Sequence, residues 1–192
     1  MARSKKTSAA LPLALELLTN DHRKVEALFG RYEEEKESGS RSRGDLAQRI
    51  CKELTAHARL EEEIFYPWLR ENLDTGSRDL VEEALVEHAS AKDLIAQVEG
   101  ADVDETFDAK VKVLGEYIRH HVQEEENEIF PEVAGESEEL DELGQEMHAR
   151  KAELTDELGL PEPGEDEEGA MAGMAMPGRR SEGRSQAQRG TH

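Results

Sequence analysis

The stretch HARLEEEIFYPWL, His57–Leu69, decides how this chain folds. Its residues are mostly helix formers, yet it carries a histidine, three glutamates in a row and a proline. Working outward, the apolar stripe that contains it reads Ile50, Leu54, His57, Glu61, Ile64, Trp68, in steps of 4, 3, 4, 3 and 4. That alternation is the inward seam of a helix in a bundle. His57 and Glu61 stand in the middle of it. A worn copy follows at His121–Val133, HVQEEENEIFPEV, at the end of a seam Val111, Leu114, Ile118, His121, Glu125. In both copies a Glu falls four residues after the His and a Pro ten after it, Pro67 and Pro131.

Two more helical segments follow the same rule. One reads Leu18, His22, Val25, Phe29, Tyr32. The other reads Val81, Leu85 or Ala84, His88, Ile95, with Ala91 and Lys92 between. Four helices thus aim one His each at a common core. His22 and His88 lie 66 residues apart, and His57 and His121 lie 64 apart. DHRKVEALF and EHASAKDLI also match, each with an acid before its His. The chain reads as two halves, helix–His then helix–His-x-x-x-Glu, related by a pseudo-twofold axis. Two His–His–Glu sets around one centre suit a two-metal site.

Between polar ends the chain is helical throughout, with rare proline and no β-branched runs. A short helix is expected over Leu11–Leu18, then a helix from Thr19 or Asn20 to about Glu37. SGSRSRG, Ser38–Gly44, breaks it. Further helices are expected from Asp45 to about Leu73, bent near Pro67, from Ser77 to about Glu99, and from Asp104 to about Val133. A fifth long helix ends near Leu158, with Gly159 and Pro161 as stop signals. The fold class is all-α: an up-down antiparallel four-helix bundle with a short N-terminal helix and an additional C-terminal helix. The domain spans residues 10–159. Residues 1–9 and 160–192 are expected to be disordered, because polar, Gly- and Pro-containing composition dominates there. Met171, Met174 and Met176 in the tail are read as incidental.

Composition narrows the partners. A formal net charge of −21 opposes nucleic acid and anionic membrane surfaces. No run of 18 apolar residues exists to span a membrane. The first 18 residues, interrupted by Pro12 and Glu16, do not read as a secretory signal. A single cysteine, Cys51, excludes an internal disulfide framework and fits a cytoplasmic protein, monomer or weak dimer, with Cys51 in the core.

A layer of four imidazoles and two carboxylates in a bundle core is unfavourable. An unpaired buried carboxylate costs several kcal/mol, and each unsatisfied imidazole adds roughly 1–3 more. Together they would exceed much of the roughly 5–15 kcal/mol that stabilises a small domain. A bound dication removes the conflict by offsetting the carboxylate charge. Mixed imidazole and carboxylate suits iron, manganese or zinc. Residues i and i+4 share one helix face, so His57 with Glu61, and His121 with Glu125, reach one site. His120 turns away from the seam, His148 is expected on the surface, and His192 lies in the tail.

With these residues in place, the chain resembles bacterial hemerythrin-like proteins of the HHE cation-binding type over about residues 11–158. The resemblance implies a four-helix bundle around two non-haem iron ions with an oxo or hydroxo bridge. It implies the ligands His22, His57, Glu61, His88, His121 and Glu125, with Glu61 and Glu125 bridging. Hemerythrins proper have five His and two carboxylates, whereas four His and two Glu are in register here. Water, Tyr117 or Glu62 would complete the shell, or one position stays open. The implied function is binding or sensing of dioxygen, peroxide or nitric oxide. The alternative is a peroxide- or nitric-oxide-consuming enzyme, peroxidase- or catalase-like, in oxidative-stress defence or iron handling. An interaction protein working through its acidic surface is the third reading, and it leaves the seam histidines unexplained.

Overall fold

The computed structural model describes residues 11–40, 42–74 and 77–161. The expected disorder of residues 1–9, and of the tail from residue 162 onward, lies outside them. Seven helices, α1–α7, follow in order: α1 Leu13–Glu37, α2 Arg43–Leu60, α3 Tyr66–Asn72, α4 Arg78–Glu99, α5 Glu105–Glu124, α6 Phe130–Val133 and α7 Ser137–Leu158. Two π turns, Glu61–Phe65 and Glu125–Ile129, join α2 to α3 and α5 to α6. With those joints counted as continuous, five long helices result, as expected.

The ring closes as α1 on α2, α2 on α4, α4 on α5 and α5 on α1, with α7 laid against α1 and α2. Ridge-into-groove packing of amphipathic helices joined by short loops gives this up-down bundle. The start of α5 has the signal expected of it: the Asp104 carboxylate accepts a hydrogen bond from Phe107 N–H at 2.9 Å. The end of α7 is set by Gly159, whose φ of 59° allows the left-handed cap, with Leu160 N–H donating to Thr155 O. Leu160, read from sequence as the first tail residue, packs against the apolar core. Gly144 is required by contact, since a Cβ there would stand 2.6 Å from Ala14 N. Only glycine lets α7 approach the start of α1 so closely.

Two features differ from expectation. The short N-terminal helix is not separate: α1 runs unbroken from Leu13 to Glu37. Thr19 and Asn20 do not cap a second helix, because Leu15, Leu17 and Leu18 on one side and His22 and Val25 on the other share one buried face. The second difference is the pair of π turns. Proline cannot donate to the carbonyl four residues back, and its ring crowds that carbonyl. Nine residues after each seam His, just before the proline, the backbone has already widened: Tyr66 N–H reaches Glu61 O, and Phe130 N–H reaches Glu125 O, both five residues back.

The extra residue in each turn moves the seam. Ile64 and Trp68 are only partly buried, while Phe65, Tyr66 and Leu69 are the core residues. The copy does the same with Ile129, Phe130 and Val133. On α4 the seam takes Ala84, and Leu85 is only partly buried. The apolar core falls into two clusters. One is built around Leu15, Leu18, Phe65 and Met147, the other around Phe29, Tyr32, Ile50 and Leu114. A polar layer lies among them.

Candidate metal centre

All six residues of that layer are buried. His22, His57, His88 and His121 are 4–7% exposed, and Glu61 and Glu125 are at 0%. Each half brings its two imidazoles edge to face. His22 Nε2 lies 3.2 Å from His57 Nε2, and His88 Nε2 lies 3.1 Å from His121 Nε2. Glu61 stands between the halves: its Oε1 is 3.3 Å from His57 Nε2 and its Oε2 is 3.3 Å from His88 Nε2. Glu125 Oε2 is 3.2 Å from His22 Nε2 and 3.7 Å from His121 Nε2. The i, i+4 spacing and the two π turns together aim both carboxylates at the centre.

Outside this layer, carboxylates face the other imidazole nitrogens. His22 Nδ1 is 2.9 Å from Glu126, His88 Nδ1 is 2.9 Å from Glu62, and His121 Nδ1 is 2.7 Å from Glu87. Asp21 Oδ2 is 3.7 Å from His57 Nδ1, beyond hydrogen-bond range. The acids immediately before the helix-1 and helix-4 histidines therefore serve the histidine across the pair. A proton held on Nδ1 by an outer carboxylate leaves the Nε2 lone pair facing inward. Inward-facing Nε2 atoms at 3.1–3.2 Å repel unless a positive charge lies between them.

The residues present fit a dication on that ground and on a second. Both oxygens of Glu61 and Oε2 of Glu125 are buried and accept no hydrogen bond among the described residues. Buried charge without partners is among the most unfavourable features a fold can carry. Without a metal, protons compensate in part. Burial alone would push His57 down, but Glu61 and Asp21 outweigh it and hold the imidazole well above its ordinary range. Burial likewise opposes His121, and Glu125, Glu87 and Glu61 raise it. Burial would raise Glu61, yet His57 and His88 hold it well below the usual carboxylate range.

Sequence reasoning missed Tyr66. Its hydroxyl donates to Glu125 Oε1 at 2.8 Å and lies 3.3 Å from His88 Nε2. Burial, then Glu125 and Glu61, push the phenol well above its usual value. Tyr66 follows Glu61 by five residues, about 140° away on a regular α-helix, so only the π turn brings it to this face. The equivalent residue of the other half is Phe130, whose ring stacks on His22 at 6.0 Å. Tyr117, the tyrosine expected from helical spacing, is half-buried on α5. Glu62 is an outer partner of His88, held by Lys92. His120 and His148 are exposed and Cys51 is buried, as expected. Burial, then Glu99, push the Cys51 thiol up to about 12.

Buried imidazoles and carboxylates that converge in the core of an all-α bundle define a cation-binding protein. The family is shown by comparison: the Hemerythrin HHE cation binding domain matches residues 13–133, and the chain belongs to that family. A DNA nickase of Nostoc sp. (strain PCC 7120 / SAG 25.82 / UTEX 2576) is 28% identical over 147 residues, covering 75% of this chain and 40% of that protein. The chain thus spans about two fifths of that relative's length. No solved structure matches. No helix among the described residues is long and apolar enough to cross a membrane.

Proposed function

We propose that the domain, residues 10–159, holds two non-haem iron ions and binds or senses dioxygen, peroxide or nitric oxide. His22, His57, Glu61, His88, His121 and Glu125 would hold the ions, since both carboxylates face histidines of both helix pairs. The observation that carries this is the position of Glu61 between the two histidine pairs. Each Glu61 oxygen faces the Nε2 of a different helix pair, and neither has a hydrogen bond. When bound, the iron pair supplies redox chemistry and open coordination for a small ligand.

The chain's own residues supply the rest. Glu126, Glu62 and Glu87 fix imidazole orientation through Nδ1. Tyr66 steadies Glu125 and offers an oxygen 3.3 Å from His88 Nε2. A cavity of about 30 Å³, which Tyr66 does not line, touches all four histidines and is walled by Val25, Leu54, Ile95 and Ile118. Its size suits a diatomic or a peroxide, and its apolar wall keeps bulk water out. A second cavity of about 130 Å³ between α1 and α5 shares His22, Val25, Ile118 and Val122 with it. Turnover of peroxide or nitric oxide at the same centre is the alternative reading.

The single cysteine fits a cytoplasmic protein, monomer or weak dimer. Exposed large apolar residues among those described are Leu11, Val86, Val103 and Val113, which stand apart in the sequence. DNA nicking is not carried over from the relative. A net charge of −21 opposes phosphate backbones, and most of that relative lies outside the match. The test is metal content after anaerobic ferrous loading. His57→Ala and Glu125→Ala lose iron, while His148→Ala keeps it. Full iron in both core variants would overturn the ligand assignment.

A further inference from the structure

Three of the four carboxylates that flank the histidines have a Lys or Arg beside them. Lys151 pairs with Asp21, Lys92 with Glu62 at 2.5 Å, and Arg23 with Glu126 at 2.5 Å. Glu87 has none among the described residues. In that place stand His120, whose Nε2 is 4.0 Å from Glu87 Oε1, and Glu124, whose Oε1 is 3.3 Å from His120 Nε2. The ligand atoms of Glu87, His120 and Glu124 lie within 4.8 Å of one another. His120 and Glu124 are i, i+4 on α5, and Glu87 reaches them from α4. The positive charge that three positions take from the chain is missing at the fourth, and a ligand set stands there instead.

A second observation points inward from this triad. A cavity of about 20 Å³ at the α4–α5 seam is lined by Glu83, Glu87, Glu124 and Glu128, with His121 and Glu125 in its wall. No Lys or Arg lines it. Glu125, fully buried, lies between this cavity and the core, where its Oε2 stands 3.7 Å from His121 Nε2. Carboxylates therefore run from an exposed imidazole to a core residue, through a space wide enough for one water-sized ion.

We propose that Glu87, His120 and Glu124 form a peripheral divalent-cation site that captures the ion and passes it along the α4–α5 seam to the core. It rests on the core reading above. Glu87 is the joint: one oxygen faces the triad while the other holds His121 Nδ1 at 2.7 Å. Imidazole with two carboxylates suits ferrous iron, manganese or cobalt. Exposure of His120 gives the ion its first contact, and the carboxylate cavity offers successive oxygens to replace its waters.

The test uses full-length metal-free protein with limiting cobalt(II), following uptake by absorbance and counting ions at equilibrium. His120→Ala and Glu124→Gln each change one exposed or half-exposed side chain outside the core. Both are expected to lose one weakly held cobalt per chain. Both should fill the core at least tenfold more slowly and reach the same core content as the parent. An unchanged loading rate overturns the proposal, whether or not the weak ion is lost. Failure of the core reading looks different: His57→Ala and the parent would then retain equal cobalt after removal of weakly held ions.

Discussion

Tyr66→Phe isolates one hydroxyl with little change of shape. The hydroxyl donates to Glu125 Oε1 at 2.8 Å, and Glu125 is fully buried. A hydrogen bond to a charged acceptor contributes about 1.5–3 kcal/mol, and its loss here leaves a buried carboxylate with one fewer donor. A phenyl ring fits the site without repacking, as Phe130 does at the equivalent place in the other half. The expected loss is therefore about 2 kcal/mol in metal-free protein, with almost no cavity contribution. In a domain of this size each kcal/mol moves Tm by about 2–4 °C, so Tm should fall by about 4–8 °C. Thermal and urea denaturation of metal-free parent and variant at pH 7 would measure it. A fall of less than 1 °C, with an unchanged urea midpoint, would refute the idea that Tyr66 holds Glu125.

Four other outcomes follow from particular contacts. Gly144→Ala pushes α7 off the start of α1 and should cost about 1–3 kcal/mol in urea denaturation, because the added Cβ meets backbone rather than a flexible side chain. Cys51, buried and with its thiol pushed up to about 12, should not react with a thiol reagent until the bundle unfolds, so labelling should track global unfolding. In metal-free protein, the raised His57 contributes stability that is complete below its ordinary 6.5 and is lost as pH rises through its raised value. The depressed Glu61 contributes stability that is present above its ordinary 4.5 and is lost as pH falls through its lowered value. Urea midpoints of metal-free protein should therefore be highest between about pH 4.5 and 6.5 and decline toward alkaline pH. Metal uptake displaces the imidazole protons, so loading at neutral pH should release protons measurably in weakly buffered solution.

Much of the site was legible in the sequence because convergence of side chains on one core layer and bundle packing share one helical period. The seam positions of His22, His57, His88 and His121 are read directly from apolar spacing. The 64- and 66-residue offsets show the two halves before any coordinates. What the spacing hid is the consequence of Pro67 and Pro131. Both prolines are visible, and Pro67 reads as a bend, whereas the backbone meets each with a π turn that starts at the buried core glutamate. That one-residue shift moves burial from Ile64 and Trp68 to Phe65, Tyr66 and Leu69. It also explains why an α-helical count chose Tyr117 and passed over Tyr66.

The outer carboxylates were legible only in part. Acids before His22 and His88, and glutamates after Glu61 and Glu125, repeat at the same offsets as the histidines, so their presence was a signal. Their partners were not, because Asp21 faces His57 and Glu87 serves His121 across helices that only tertiary packing brings together. The continuity of α1 through Thr19 and Asn20 has the same origin: a shared buried face outweighs the weaker local preference of those residues for a cap.

The central claim is tested most directly by metal content per chain of aerobically purified protein, measured with its near-ultraviolet and visible spectrum. The account predicts about two irons per chain with oxo-bridge charge-transfer bands, both lost in His57→Ala. Absence of bound metal, persisting after anaerobic ferrous loading, would contradict it and leave the buried His and Glu layer as a structural feature stabilised by protons.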